Sequence, residues 1–207
     1  RQLDSISVRE IDGVRIVTEV AGVDAERVLD PAMLLSSDEW RRIAKNPNVP
    51  HRYILCYSVT KNVQNERWIA DAAERVAQLI GSSIVSVGNR LEFTRRAKVI
   101  HMSSACPAQF LGLIDQASAV ITDSFHGTAF SVIFHKPFFL AVDPQFARNS
   151  RLITLTSILG LDERRWDSSR RLTITQDMLQ LDYELVDQRV AEEKNRSLHF
   201  LRRCLAE

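Results

Sequence analysis

Residues 119–142 constrain the architecture more than any other stretch of the chain. Ala119-Val120-Ile121 is an apolar run of buried-strand character. Thr122 to Gly127 forms a polar turn, and Thr128 to Phe134 returns to an apolar, helical pattern. Lys136-Pro137 breaks that helix before a second apolar strand, Phe138 to Val142. Strand, short polar loop, helix and strand in this order make a βαβ unit. Its loop lies beyond the carboxyl end of the first strand, where parallel sheets hold their ligands. Asp123, Ser124 and His126 crowd into that loop at a helix start, whose N–H groups and dipole favour an anion. We read the loop as a site rather than an ordinary surface turn.

The rest of the chain repeats the alternation. Ile6 to Arg9 reads as a strand, Glu10 to Val20 as a helix stopped by Gly22, and Arg27 to Leu29 as a strand ended by Asp30-Pro31. Ser37-Asp38-Glu39-Trp40 starts a helix. Asn46-Pro47-Asn48-Val49-Pro50 is the most linker-like stretch and marks the expected domain boundary. Beyond it come strand 53–59, helix 65–80 with Asn65 as N-cap, strand 84–87, strand 98–101, helix 107–117, strand 119–122, helix 127–135, strand 138–142 and helix 150–159. One charged helix spans 182–205. Strands alternating with helices of this length predict an α/β fold, a parallel sheet with helices on both faces. The expected division is 1–46, 47–181 and 182–207. If the first and last of these belong partly to another lobe, Val14, Val17, Leu198 and Leu201 should be exposed or covered by a neighbouring copy.

Charge and cysteine content exclude several function classes. With 27 basic and 26 acidic residues the net charge is +1, which gives no general field for nucleic acid. The three cysteines, Cys56, Cys106 and Cys204, are widely spaced without a CxxC pair, so neither a disulfide framework nor a structural zinc site is expected. No HxH, HExxH or carboxylate cluster suggests a metal, and no metal or cofactor is expected. No apolar run approaches the ~20 residues that span a bilayer.

Thr122-Asp123-Ser124-Phe125-His126-Gly127-Thr128-Ala129-Phe130, followed by Lys136-Pro137-Phe138, resembles the signature of the polysaccharide pyruvyl transferase family. Three further pieces agree in order: Ser7-Val8-Arg9-Glu10; Val28-Leu29-Asp30-Pro31 with Leu34-Leu35; and Arg148-Asn149-Ser150-Arg151 leading to Leu159-Gly160-Leu161. The resemblance implies two Rossmann-like lobes of GT-B-like form, of which this chain would be the C-terminal lobe (47–181), a remnant of the first lobe (1–46) and a terminal helix (182–207). It implies transfer of an enolpyruvyl-derived group from phosphoenolpyruvate to a sugar or glycolipid acceptor as a ketal. The cysteine pattern fits a reducing cytosol, so a cytoplasmic location is expected, alone or at the inner face of a membrane, with the missing lobe or a second copy as partner. The alternatives are a GT-B-like sugar-nucleotide glycosyltransferase and a non-catalytic interaction lobe.

His126 is the first candidate for chemistry. Ketal formation from an enol phosphate delivers a proton to the methylene carbon and removes one from the attacking hydroxyl, and an imidazole can do either near neutral pH. On the residues alone His126 could equally cap the helix or bond to Asp123; the resemblance implies acid/base work. Asp123 could orient His126 or cap the turn, and Ser124 could bond a phosphate or simply begin a helix. The backbone at Gly127 and Thr128 is expected to approach the donor. The resemblance implies that Arg9 reaches the donor, and Arg148, Asn149 and Arg151 follow the 138–142 strand at the same sheet edge as His126. Arginine forks suit a ligand bearing both phosphate and carboxylate. Two departures stand out: many members have Arg-Leu before the His-Gly pair, where this chain has Ser124-Phe125, and some carry a lysine where Asp143-Pro144-Gln145 stand. Lys136 reads as solvent-exposed, and Trp166, beside Arg164-Arg165, as a sugar-stacking or interface residue.

Overall fold

A computed structural model describes residues 4–94, 97–143, 149–166 and 173–205. The chain forms two compact units, Arg1–Leu35 with Phe146–Asp162 and Asp182–Glu207, and Ser36–Gln145 with Glu163–Leu181.

The first unit begins as a small βαβ. Strand β1 (Ser7–Val8) pairs in parallel with β2 (Glu26–Arg27), joined by helix α1 (Ile11–Ala21). The unit also holds α6 (Ser150–Leu159) and the long α7 (Glu184–Leu205). Distant segments are tied by polar contacts. Arg27, itself buried, donates to both carboxylate oxygens of Glu193 at 2.6 Å, and the Leu29 amide donates to Ser197 Oγ at 2.8 Å. Arg203 pairs with Glu26 at 2.6 Å. Helix α1 buries no residue, and Val20 is 82% exposed. Val14, Val17 and Leu198 are half-buried and Leu201 is 41% exposed, so none of the four apolar residues singled out above is fully enclosed.

The second unit contains the sheet. Its strands are β3 (Tyr53–Ser58), β4 (Ser83–Gly88), β5 (Val99–Met102), β6 (Ala119–Thr122), β7 (Phe138–Ala141) and β8 (Arg165–Trp166), in the order β5-β4-β3-β6-β7-β8. Every pairing is parallel, as expected for an α/β fold. Helix α2 (Ser37–Arg41), α3 (Val63–Ile80), α4 (Pro107–Gln116) and α5 (Phe125–Ile133) complete it. The step from β3 to β4 moves one way across the sheet, and the step from β6 to β7 moves the other way. Right-handed crossovers therefore put α3 on one face and α5 on the opposite one. Both faces being covered explains why β6 and β7 are apolar at nearly every position rather than alternating.

On the α3 face, Ile69, Ala72, Ala73 and Val76 pack over Ile54, Cys56, Ile84, Ile121 and Phe139. The small alanines let the helix lie close to the sheet. Burial pushes the Cys56 thiol well above its ordinary range. On the other face α4 and α5 meet through Phe110 and Phe130, whose ring centroids are 6.3 Å apart, and Trp40 of α2 packs edge-on against Phe130.

Several boundaries differ from the expected ones. Asn62, not Asn65, caps α3, its Oδ1 accepting from the amides of Gln64 and Asn65. Helix α5 starts at Phe125 because Ser124 is its cap. Residues 36–46 group with the sheet unit, since Arg41 pairs with Asp115 at 3.1 Å and the Lys45 amide donates to Ala108 O at 2.8 Å. Residues 182–205 group with the first unit through Glu193 and Ser197. Lys136 is half-buried rather than exposed, and that burial lowers the pKa of its ammonium group. Trp166 is an edge-strand core residue, 6.0 Å from Trp68 ring to ring, and buried Arg164 donates to Met178 O at 2.5 Å.

Gly112 lies where α4 passes the 45–47 backbone. A Cβ there would stand 1.9 Å from Lys45 O and 2.9 Å from Lys45 C, both backbone atoms held by the Lys45–Ala108 bond. Gly112→Ala should therefore destabilise the protein by about 3 kcal/mol in urea unfolding, although alanine is the better helix former.

Candidate functional site

The strand order reverses direction between β3 and β6, and the space beyond their carboxyl ends is the usual ligand position in open parallel sheets. Asp123, directly after β6, occupies it. Its Oδ1 accepts from the Val59 amide at 2.8 Å. Its Oδ2 accepts from Ser58 Oγ at 3.1 Å, from the Thr60 amide at 3.2 Å and from Thr60 Oγ1. The carboxylate is buried, and it clamps the loop leaving β3 to the loop leaving β6. Tyr57 at the end of β3 has its phenol pKa raised, first by burial and then by the Asp123 charge.

The turn into α5 is just as closely bonded. Thr122 Oγ1 donates to Tyr57 O at 2.5 Å and accepts from the Ser124 amide at 3.0 Å. Ser124 Oγ accepts from the Gly127 amide at 3.3 Å, and Ser124 O accepts from both the Thr128 amide and Thr128 Oγ1 at 3.0 Å. A Cβ on Gly127 would lie 2.6 Å from Thr122 Oγ1, which cannot retreat because both its bonds are made. Thr122 thus accounts for the glycine. Ser124, Gly127 and Thr128, expected at the donor, are buried and bonded to one another. The amides of Gly127 and Thr128 are committed to Ser124 and not left for a ligand.

His126 behaves differently. From Ala119 to Val132 every residue is buried except His126, which is exposed in the first turn of α5. The sequence folds this way because α5 packs one side on the sheet and another on α4, leaving only residue 126 of its first turn facing outward. The helix dipole makes that turn a favourable place for negative charge.

Further polar residues at the same edge escaped the sequence reading. Asn62 Nδ2 donates to Asp143 Oδ2 at 2.8 Å, joining the start of α3 to the exit of β7. Asn89, after β4, donates through Nδ2 to Thr60 O at 2.8 Å and through its amide to Ser58 O at 3.2 Å. The loops after β3, β4, β6 and β7 are therefore linked by side chains. A clue to Asn62 existed in the sequence, since Asn62 and Asn65 both precede an apolar helical stretch. None existed for Asn89.

The remaining expected residues belong to the first unit. Arg9 pairs with buried Asp30, whose other oxygen accepts from the Ala32 amide at 2.9 Å. A cavity of about 230 Å³ there is lined by Ser7, Arg9, Leu29, Pro31, Ser197 and Leu201, among others. Asn149 is buried at the start of α6, with Arg151 half-buried in its first turn. Arg148 lies outside the described residues. Among the described residues no group of three or more His, Cys, Asp or Glu could hold a metal ion, and no helix is long and apolar enough to cross a membrane.

The geometry separates a structural carboxylate from an exposed imidazole. Asp123→Ala should cost about 3 kcal/mol in chemical denaturation, because it strands donors around a buried position. His126→Ala should change stability by no more than about 0.5 kcal/mol in the same measurement.

No curated protein matches the sequence. Among solved structures, the chain is similar to the glycosyltransferase SnogD from Streptomyces nogalater, with 15% identity, TM-score 0.42, and 90% of this chain covering 57% of that one. It is also similar to UGT2 of Phytolacca americana, solved with UDP-2-fluoro-glucose and pterostilbene, with 13% identity, TM-score 0.41, and 97% of this chain covering 47% of that one. A third is the calicheamicin glycosyltransferase CalG4, with 15% identity, TM-score 0.37, and 95% of this chain covering 50% of that one. The chain spans about half the length of these proteins. The family model described as polysaccharide pyruvyl transferase matches residues 1–144, most of the chain and all of the edge built around Asp123 and His126, and the protein belongs to that family.

Proposed function

We propose that the protein transfers an enolpyruvyl-derived group from phosphoenolpyruvate to two hydroxyls of a saccharide, making a pyruvate ketal. The observation that carries this reading is the single exposed side chain of residues 119–132, the His126 imidazole at the tip of α5. Membership of the family supports the transferase class.

The reaction needs little beyond proton traffic and charge stabilisation. His126 delivers a proton to the methylene carbon of the donor, turning it into a methyl group and leaving oxocarbenium character at the carbon bearing oxygen. One sugar hydroxyl attacks that carbon and gives up its proton, restoring the imidazolium. A second hydroxyl then displaces the phosphate, which leaves with the second hydroxyl's proton. Both hydroxyl protons are thereby accounted for, one in the methyl group and one on phosphate.

Asp123 contributes by holding the β3 loop, so that this edge of the sheet keeps its shape. Ser124, Gly127 and Thr128 fix the first turn of α5, and so the direction in which His126 projects. Arg9, Arg148, Asn149 and Arg151 are assigned to the donor's phosphate and carboxylate. Arg148 or Arg151 compensates in this reading for the basic residue that many members carry where Ser124-Phe125 stand here. We place the activity in the cytoplasm, alone or at the inner face of a membrane.

In the complete enzyme, His126→Ala should lower acceptor-dependent phosphate release by about 10²- to 10⁴-fold with little change in donor affinity. Arg151→Ala should chiefly raise the donor KM. Thermal-shift titration should show stabilisation by phosphoenolpyruvate and none by uridine or guanosine diphosphate. A fully active His126→Ala enzyme, or stabilisation by the nucleotides alone, would refute the reading.

A further inference from the structure

Strand β3 carries two tyrosines on one face of the sheet, Tyr53 and Tyr57, both directed toward α4. Tyr53, at the start of the strand, is fully enclosed, and its hydroxyl donates to Leu113 O at 2.7 Å. Tyr57, near the carboxyl end, is half-buried. Its ring packs on Phe110 with centroids 4.5 Å apart, and Phe110 is half-buried as well. The Tyr57 hydroxyl makes no hydrogen bond among the described residues, and it is not one of their enclosed polar atoms. A phenol drawn this far into a protein usually finds a partner there. This one is left for a ligand.

The same face carries the first turn of α5. Tyr57 is the register partner of Thr122, so the two side chains stand beside each other on neighbouring strands. Thr122 in turn lies against Gly127, the residue after His126. On the β4 side the ring meets no side chain, because its neighbour is Gly88, which is exposed; a Cβ there would stand 3.6 Å from Tyr57 Cε2. We propose that Tyr57 and Phe110 hold the acceptor saccharide, the phenol donating to one of its hydroxyls and the rings packing against its C–H face. This rests on the transferase reading of the His126 edge and gives that edge a second occupant.

Three considerations select a sugar. A pyranose has hydroxyls along its rim and an apolar C–H surface on its face, which match a hydroxyl-bearing ring beside a second ring. The phenol is an uncharged donor, since burial first and then the Asp123 charge hold its pKa above the usual value. That same negative charge disfavours a phosphate or carboxylate oxygen at this hydroxyl, whereas a neutral sugar hydroxyl meets no such penalty. Position is the third consideration. One strand away from the turn that carries His126 is a suitable place for a hydroxyl that must lose a proton.

Saturation-transfer NMR on the intact chain tests this, with methyl glycosides of glucose, galactose and mannose as separate probes. Uridine serves as the control, because a nucleobase also stacks on aromatic rings. At least one glycoside should bind, with the strongest transfer to its ring C–H protons. Tyr57→Phe keeps the ring and removes only the hydroxyl, so it should weaken that glycoside by about threefold or more. The unliganded unfolding midpoint of this variant should match the parent's, and so should its stabilisation by phosphoenolpyruvate. If phosphoenolpyruvate fails to stabilise even the parent while the Tyr57 effect on the glycoside persists, the transferase reading falls and the saccharide subsite stands. The proposal is overturned if no glycoside binds, if Tyr57→Phe binds it as the parent does, or if the loss of affinity follows a loss of stability. It is equally overturned if uridine shows the Tyr57-dependent effect, or if the variant loses its stabilisation by phosphoenolpyruvate.

Discussion

The carboxyl edge of the sheet depends on one buried carboxylate. At the point where β3 and β6 send their helices to opposite faces, nothing in the ladder itself holds the two exits together, because the main-chain hydrogen bonds end there. Asp123 supplies the missing link by accepting from three consecutive residues, 58, 59 and 60. Asn89, after β4, in turn bonds to the carbonyls of residues 58 and 60, so the segment that donates to the carboxylate is itself held. Such a carboxylate is well satisfied, and its value to the protein is positional.

The contrast with His126 follows from packing. Residues 119–132 are almost entirely enclosed, and a helix with Phe125, Ala129, Phe130 and Val132 all buried has no freedom to rotate about its axis. Gly127 against Thr122 fixes it along its length as well. On such a support the Cα–Cβ direction of His126 is fixed. The departure from the family's basic residue also becomes intelligible in place: Ser124 and Phe125 are buried, so a charged side chain at either position would have to be desolvated.

Most of the sheet was legible from sequence because buried parallel strands are written as short apolar runs, and 53–58, 83–88, 119–122 and 138–141 all have that form. What failed was local competition and long range. Asn62 and Asn65 are both good caps three residues apart, and only the inward face of α3, which takes Asn65 into the interior, decides between them. Strand β8 has two residues and no period to detect; its Arg165-Trp166 reads as surface until it is seen beside β7. The roles of Asp123, Asn62 and Asn89 rest on partners tens of residues away, which no local pattern encodes. His126 was visible as a candidate because histidine next to glycine at a strand-to-helix turn is chemically conspicuous. Its exposure among buried neighbours is a property of the packed fold, set by how α5 lies on the sheet and on α4.

The discontinuous make-up of the first unit bears on how the chain is made. Arg27 meets Glu193 and Leu29 meets Ser197 across 166 and 168 residues, and Arg203 meets Glu26 across 177. On a ribosome the βαβ of this unit therefore emerges long before the helix that neutralises Arg27 has been translated. Contacts so far apart in sequence form slowly, since loop closure must precede any gain from them. Until α7 follows, Arg27 lacks the Glu193 carboxylate and the Leu29 amide lacks Ser197 Oγ, so two polar groups destined for the interior wait beside the strand. The window for capture by a chaperone is thus set by the time needed to translate the whole sheet unit that lies between them.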